Sequence, residues 1–261
     1  MIAYCAARAS RGFILDYVML AEAFVYVRSL AATPAGFRKY LYEAVGLWAR
    51  GRRQSAAWAP HVANTRGLID TAIDDFAERG TVVVLGSGPL FDVPLESLAR
   101  TFKRVVLVDQ THLSTINRRI ARYSNVVREW RNLSAAGSAE PLAFLRAIDD
   151  LDWVISVNLL SQLARAAPAG REREIIDAHL RDLAALPCRV TLVTDVDYRV
   201  TDDNGTILEK MDLLHGRPMP KPDLSWKWEV APFGEEAPDR RRVHAVAAWL
   251  DWTRSAPAPA G

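Results

Sequence analysis

Five short stretches of this sequence carry groups that could hold a ligand and act on it. The first is a glycine turn, Gly86-Ser87-Gly88, which follows the apolar run 81–85. Glycines there let the backbone approach a bound group closely. Asp109 ends the next apolar run, 23 positions after Gly86, and its carboxylate can accept hydrogen bonds from two neighbouring hydroxyls. This spacing predicts a nucleoside site with Asp109 on the ribose.

The other three stretches follow later apolar runs. Asn132 and Leu133 come after the third run, Asn158 after the fourth, and Asp195-Val-Asp197-Tyr198 after the fifth. Two acids beside a substrate could bind a cation or remove a proton, although Asp is equally common in turns. Asn158 could likewise be a helix cap.

The elements that position these residues alternate along the chain. Short apolar runs predict strands over 82–85, 104–108, 125–130, 153–157 and 189–194. Helical periodicity predicts a helix directly after the glycine turn and others over 113–123, 139–148 and 171–186. Strands that alternate with helices form a parallel sheet, whose carboxyl ends meet at one edge and bind ligands there. We therefore expect the five stretches at that edge.

Both ends of the chain depart from this alternation. No helix separates the runs 226–231 and 242–250, so they are expected to pair antiparallel. Apolar residues at helical spacing predict helices before residue 79. The predicted fold class is α/β, with a seven-stranded, mostly parallel sheet, a terminal antiparallel pair and helices on both faces. The predicted organisation is an N-terminal helical extension or lid (1–79), a Rossmann-like domain (80–254) and a disordered tail (255–261).

Composition narrows the classes of partner. The 33 basic and 31 acidic residues nearly cancel, which gives no reason to expect a nucleic-acid partner. The basic clusters 50–53 and 240–242 are expected to be solvated faces. Cys5 and Cys188 lie far apart, which favours a reducing cytoplasm over a disulfide framework. No His, Cys and acid spacing predicts a metal site.

The apolar segment 13–27 contains two acids and is too short to cross a membrane. It predicts an amphipathic helix packed on the body of the protein or on a second copy, and hence a possible homodimer.

The strand pattern and its polar ends resemble the class I S-adenosylmethionine-dependent methyltransferases over about residues 60–250. The resemblance is carried by residues 85–89, 106–109, 130–133, 152–160, 226–228 and 243–246. It implies that Gly86, Ser87 and Gly88 cradle the methionine part of the cofactor. It also implies that Asp109 holds the ribose and that Asn158 lies near the sulfonium. Asn132 would accept from the adenine amino group, and Leu133 would pack on the adenine face.

Two residues depart from the family pattern. Val84 stands where the family commonly has an acid, and Leu90 stands where it has a third glycine. The lost acid removes a partner for the ammonium group of the cofactor, and Asp92 could replace it.

These observations predict methyl transfer from S-adenosylmethionine to a small-molecule acceptor. Asn158 and Asp195 are the candidate catalytic residues. The candidate substrate-binding residues are Trp58, His61, Gln162, Asp197 and Tyr198. For Trp58 and His61 the alternative is a packed Trp and a surface His; His179 and His244 are expected to be structural.

Two other functions stay open at this point. An NAD-dependent oxidoreductase uses the same βαβ unit, although Phe91 occupies its third-glycine position. The second open function is that of a non-catalytic binding or scaffold protein with the methyltransferase fold.

Overall fold

The centre of the fold is an eight-stranded sheet whose first five strands are parallel. We describe residues 20–134 and 140–256 of a computed structural model. The strands run in the order β3-β2-β1-β4-β5-β8-β7, with β6 paired to β5. The parallel strands are β1 (Thr81–Leu85), β2 (Arg104–Asp109), β3 (Val126–Trp130), β4 (Leu151–Val157) and β5 (Arg189–Thr201).

Three antiparallel strands complete the sheet: β6 (Ile207–Asp212), β7 (Leu224–Ala231) and β8 (Arg241–Trp249). Strand β5 pairs with β4 only over 189–193 and then continues past the carboxyl edge, where 197–201 pair with β6. Strand β8 accompanies β5 over 192–201. The predicted fold class and its terminal antiparallel pair are confirmed, but the sequence analysis missed β6 and the second half of β5.

Eight α-helices lie in the described part of the chain. They are α1 (20–32), α2 (Leu41–Arg53), α3 (Ser55–Ile73), α4 (Leu95–Thr101), α5 (Asn117–Ile120), α6 (Leu160–Arg165), α7 (Glu172–Ala184) and α8 (Trp252–Ser255). Short 3-10 helices occur at Ala35–Tyr40, Ser114–Ile116 and Ala143–Ala147. Among these described helices, none combines the length and apolar character that a membrane span requires.

The prediction of a helix directly after the glycine turn is wrong, because α4 begins only at Leu95. Pro94 precedes it, and a proline disfavours helical geometry in the residue before it. The predicted helices 113–123 and 139–148 are also shorter than expected, and α6 was not predicted. Residues 13–19 of the N-terminal segment 13–27, residues 135–139 and residues 257–261 of the predicted tail lie outside the described residues.

The sheet is covered on both faces, as continuous apolar strands require. Helices α3 and α4 cover one face, where Leu68 and Ile69 join Val82, Val84 and Leu107 in one core cluster. Helices α6, α7 and α8 cover the other face. The N-terminal part of α3 reaches past this core to β7, which brings it over the carboxyl edge.

Candidate functional site

The glycine turn after β1 has left-handed backbone at alternate residues. Gly86 has φ 73° and Gly88 has φ 48°. A Cβ on Gly86 would lie 2.9 Å from the Val157 carbonyl oxygen, so close packing against the end of β4 requires glycine there. A Cβ on Gly88 would meet nothing nearer than the Gly86 oxygen at 3.9 Å. Gly88 therefore borders open space that a bound group can fill.

Leu90 occupies the position of the third glycine in the family pattern and keeps a glycine-like backbone. Its φ is 60°, a conformation that costs a non-glycine residue about 1–3 kcal/mol. The surroundings hold it there: its carbonyl oxygen accepts from Arg119 at 3.0 Å and Arg66 at 3.4 Å, and its side chain is fully buried. This departure in sequence thus leaves the shape of the turn intact.

Asp109 lies beside the glycine turn, at the end of β2. Its Oδ2 accepts from the Gly88 N–H at 2.9 Å, and its Oδ1 accepts from the Thr111 N–H at 3.0 Å. Each carboxylate oxygen can accept a second hydrogen bond. The carboxylate is therefore fixed in direction while keeping capacity for two hydroxyls.

Asn132 lies one strand further along the same edge, and its side-chain oxygen already has local partners. That oxygen accepts from Gln110 at 2.9 Å and from both the N–H and the hydroxyl of Ser134. Leu133 is buried in the α7-side core. A cavity of about 430 Å³ lies next to Asn132, lined also by Phe37, Trp130, Arg131, Glu140, Pro141, Ala143 and Phe144.

Asn158 follows β4 and is strained in the same sense as the turn, with φ 48°. Its Nδ2 donates to Asp92 Oδ2 at 2.6 Å and lies 3.1 Å from His61 Nε2. Its Oδ1 is buried and has no partner within the described chain. Helix α6 begins at Leu160 with no side-chain cap, so Asn158 is not a helix cap. Asp92, the suggested replacement for the missing acid, lies at this position.

Trp58 and His61 project from α3 onto β7. His61 is 2% exposed, so the alternative of a surface histidine is wrong. Its ring stacks on Trp228 with centroids 4.0 Å apart, and its Nδ1 accepts from Trp226 at 3.0 Å. The Trp58 indole N–H donates to the Val230 oxygen at 3.0 Å. Aromatic contacts therefore fix α3 over the carboxyl edge.

Asp195 is a buried strand residue that orients His244. Its Oδ2 lies 2.7 Å from His244 Nδ1, and its Oδ1 accepts from the Ser161 hydroxyl at 2.5 Å. A carboxylate needs a donor, so Nδ1 carries the proton. His244 Nε2 then presents a lone pair, yet it is buried without a partner in the part of the chain described. The sequence analysis expected His244 to be structural and missed this pair.

Of the remaining candidate substrate residues, only Tyr198 lies beside the pair of Asp195 and His244. Its ring stacks on His244 at 5.3 Å, and its hydroxyl bonds to Glu209. Burial, together with that hydrogen bond, raises the pKa of Tyr198. Asp197 precedes it on the strand and so faces the other side of the sheet. Gln162 is exposed and donates to the Asn158 carbonyl oxygen at 2.7 Å.

The basic cluster 50–53 is not merely a solvated face. Arg53 donates to Glu235 at 2.9 Å, and Gln54 donates to the same carboxylate at 2.6 Å. Burial alone would raise the pKa of Glu235, but these hydrogen bonds outweigh it and the pKa is lowered. Arg242 of the second cluster pairs with Glu236 at 3.0 Å. The end of α2 is thus joined to the turn between β7 and β8.

Three other titratable groups lie outside the cluster formed by Asp195, Tyr198 and His244. Burial lowers the pKa of His179, on α7, to about 4. Burial also lowers the pKa of His112, whose Nε2 faces the Glu129 oxygen. Burial raises the pKa of the Cys188 thiol to about 12. Within residues 20–134 and 140–256, no group of three or more His, Cys, Asp or Glu residues could hold a metal ion.

No protein-family model and no curated protein matches the chain. Solved structures match it at low similarity. The DhpI–SAH complex is 16% identical, with a TM-score of 0.38 over 80% of this chain and 95% of that chain. The N-methyltransferase NodS from Bradyrhizobium japonicum WM9, in complex with S-adenosylhomocysteine, is 15% identical, with a TM-score of 0.37 over 72% and 86%. A Burkholderia thailandensis 1,6-didemethyltoxoflavin-N1-methyltransferase is also 15% identical, with a TM-score of 0.38 over 80% and 90%. Structures of rRNA methyltransferases match as well.

Proposed function

We propose that this protein transfers the methyl group of S-adenosylmethionine to a small-molecule acceptor. The observation that carries the proposal is the convergence of the left-handed glycine turn, the Asp109 carboxylate and the strained Asn158 at one sheet edge. Open α/β sheets bind ligands at this edge. Non-glycine residues held in left-handed backbone cluster at functional sites, and Leu90 and Asn158 are both such residues.

The groups at this edge fit the cofactor. Asp109 would accept from the ribose hydroxyls, and the backbone of 86–88 would hold the methionine part. Asp92 would take the ammonium group in place of the acid that Val84 replaces. The Ser87 hydroxyl and Asn158 Oδ1 are buried without partners in the described residues, and a bound ligand would satisfy them. S-adenosylmethionine would supply a methyl group on a positively charged sulfur.

In this proposal the chain aligns the reactants and excludes water. Asn158 would direct its side-chain oxygen toward the sulfonium. Helix α3 would cover the reacting groups, since Trp58 and His61 fix it onto β7. The bond between Arg53 and Glu235 would hold α2 over the same region.

A small acceptor is favoured over a nucleic acid by the charges around the site. Arg53 of α2 and Arg242 of β8 are paired with Glu235 and Glu236. They therefore do not form a free basic surface for phosphates. The cytoplasmic location and the homodimer through the N-terminal helices stay predictions.

Isothermal titration calorimetry tests the cofactor directly. We expect S-adenosylhomocysteine to bind the folded protein with one site per chain and to raise its melting temperature. NADH should do neither at the same concentration. Absence of S-adenosylhomocysteine binding by a folded sample would overturn the proposal, and selective stabilisation by NADH would favour the oxidoreductase. Binding without methyl transfer to any acceptor would favour the scaffold.

A further inference from the structure

We infer that His244 is the general base of this site and that the acceptor is an aromatic compound carrying a hydroxyl group. The inference rests on the proposed methyl transfer. It concerns the acceptor side of the site, which the proposed cofactor would not occupy.

The pair of Asp195 and His244 has the arrangement that a catalytic imidazole needs. The buried carboxylate lies 2.7 Å from Nδ1, and Ser161 donates to its second oxygen at 2.5 Å. Such a carboxylate fixes the tautomer and stabilises the imidazolium that forms on proton uptake. In the neutral ring the lone pair therefore lies on Nε2, on the side away from Asp195.

That nitrogen and a neighbouring indole lack partners. His244 and Trp228 lie directly opposite each other on β8 and β7, on the side of the sheet that faces α3, with ring centroids 5.9 Å apart. Within the described residues, neither His244 Nε2 nor Trp228 Nε1 has a hydrogen bond, although both are buried. A buried acceptor and a buried donor left unpaired each destabilise the folded protein. A hydroxyl placed between the two nitrogens would satisfy both, since it can accept from the indole and donate to the imidazole.

The surroundings are aromatic. Tyr198 stacks on one side of His244, and Trp228 makes an edge contact with its ring. Trp58 meets Trp228 edge-on at 5.0 Å. A planar ring on the acceptor can stack on this lining or meet it edge-on.

The same rings connect His244 to the proposed cofactor side. Trp228 stacks on His61, which lies 3.1 Å from Asn158 Nδ2. Because both unpaired nitrogens are covered by protein, the acceptor must displace a ring to enter. The Tyr198 hydroxyl is held by Glu209, whereas the Trp228 indole N–H is unbonded in the described structure. Trp228 is therefore the ring that turns aside to admit the acceptor, after which its indole N–H returns to donate to the acceptor hydroxyl.

The reaction balances without another reactant. The acceptor oxygen bonds to the methyl carbon as the carbon–sulfur bond breaks with its electrons staying on sulfur, and the hydroxyl proton passes to His244 Nε2. Asp195 stabilises the resulting imidazolium until it releases the proton to water.

Two phenols that differ in acidity test the base. Phenol is un-ionised at about pH 8, as a tyrosine side chain is, whereas 4-nitrophenol is largely ionised and needs no base. With S-adenosylmethionine, His244→Asn should lower transfer to phenol by about 100-fold or more and transfer to 4-nitrophenol by less than about threefold. His215→Asn is the matched control, because the loop residue His215 has φ 50° and Asn tolerates that backbone. It should change neither rate.

A second measurement does not depend on activity. In the complex with S-adenosylhomocysteine, ¹⁵N NMR of the imidazole should show His244 protonated on Nδ1 and unprotonated on Nε2 at neutral pH. Two titratable groups contact the ring, Asp195 and Tyr198. Glu209 and Arg242 contact Tyr198, and His61 stacks on Trp228.

Each contrary result has a distinct meaning. A proton on Nε2, or an equal loss with both phenols, would overturn the base role. Transfer to neither phenol by wild-type protein that binds S-adenosylhomocysteine would overturn the acceptor class. Failure of wild-type protein to bind S-adenosylhomocysteine would overturn the proposed function instead.

Discussion

The two edges of the same sheet differ in how their polar groups are satisfied. The larger cavity, about 920 Å³, opens at the amino edge, between the ends of α3, β4, β5 and α8. Its carboxylates are bonded to the fold: Asp152 accepts from the Gly80 N–H, Asp223 from the Leu250 N–H, and Asp251 from the Thr253 N–H. These carboxylates hold neighbouring backbone N–H groups of the fold in place.

At the carboxyl edge, several buried polar atoms have no hydrogen-bond partner within the described residues. Ser87 Oγ, Asn158 Oδ1, His244 Nε2 and Trp228 Nε1 all lack partners in the described structure. They are four of the twelve buried side-chain atoms without partners among the described residues, and they share the edge at which open α/β sheets bind ligands. The size of a cavity is therefore a poorer guide to function here than the state of its hydrogen bonds.

The largest expected contrast is in cofactor binding. Asp109→Ala should weaken S-adenosylhomocysteine binding by about 100-fold, because it removes a charged acceptor from two hydroxyls. The matched amino-edge variant, Asp223→Ala, should leave the dissociation constant within about twofold. Calorimetry on variants shown to be folded measures both, and a similar loss in the two would remove the distinction between the edges.

His179 is buried and has a partner, and we expect it to affect the stability of the protein but not the binding of S-adenosylhomocysteine. Burial lowers the pKa of His179 to about 4, and its Nε2 lies 3.3 Å from the Ser156 hydroxyl. Between the unfolded pKa of about 6.5 and the folded value, the unfolded chain binds more protons, so stability falls as pH falls. About 2 kcal/mol should be lost between pH 7 and pH 5 on this account.

Urea unfolding at the two pH values checks this. His179→Leu should reduce the pH-dependent loss by about that amount relative to wild type, whatever its stability at pH 7. An unchanged pH dependence in the variant would show that another group is responsible.

An amino-edge carboxylate should matter to stability and not to binding. Asp152→Ala removes the acceptor for the Gly80 N–H, and it should lower the unfolding free energy by about 1–2 kcal/mol. Affinity for S-adenosylhomocysteine should be unchanged. Weakened affinity in a variant of normal thermal stability would place function at the amino edge.

The smallest effect concerns backbone strain at Asn158. Asn158→Gly and Asn158→Ala both remove its side-chain bonds to Asp92 and His61, but only glycine adopts φ 48° freely. The glycine variant should therefore be more stable than the alanine variant by about 1 kcal/mol. Both should bind S-adenosylhomocysteine more weakly than wild type. Equal stability of the two variants would mean that the backbone relaxes there without cost.

The sequence sufficed for the parts of the site that depend on local pattern. Continuous apolar runs located β1 and β2, and parallel pairing then required Asp109 to lie near the glycine turn. One missed strand also had a local signal: Asn204-Gly205 lies between the alternating segments of β5 and β6, a typical hairpin turn.

The acceptor side could not be located in this way. The contact between Asp195 and His244 depends on the pairing of Asp195 with Val246 across β5 and β8, including a bulge before Asp197. A one-residue change of register would send His244 to the opposite face. Likewise, the basic cluster 50–53 gave no sign of Glu235, 182 residues after Arg53.

Strand β8 lies between β5 and β7 although, of the described strands, it is the last to leave the ribosome. Every residue assigned to the cofactor precedes residue 159, whereas His244 arrives about 85 residues later. A nascent chain that ends before residue 241 thus has an unpaired edge on β5 and no imidazole beside Asp195. Translation therefore completes the half of the site that would hold the cofactor well before the half that would act on the acceptor.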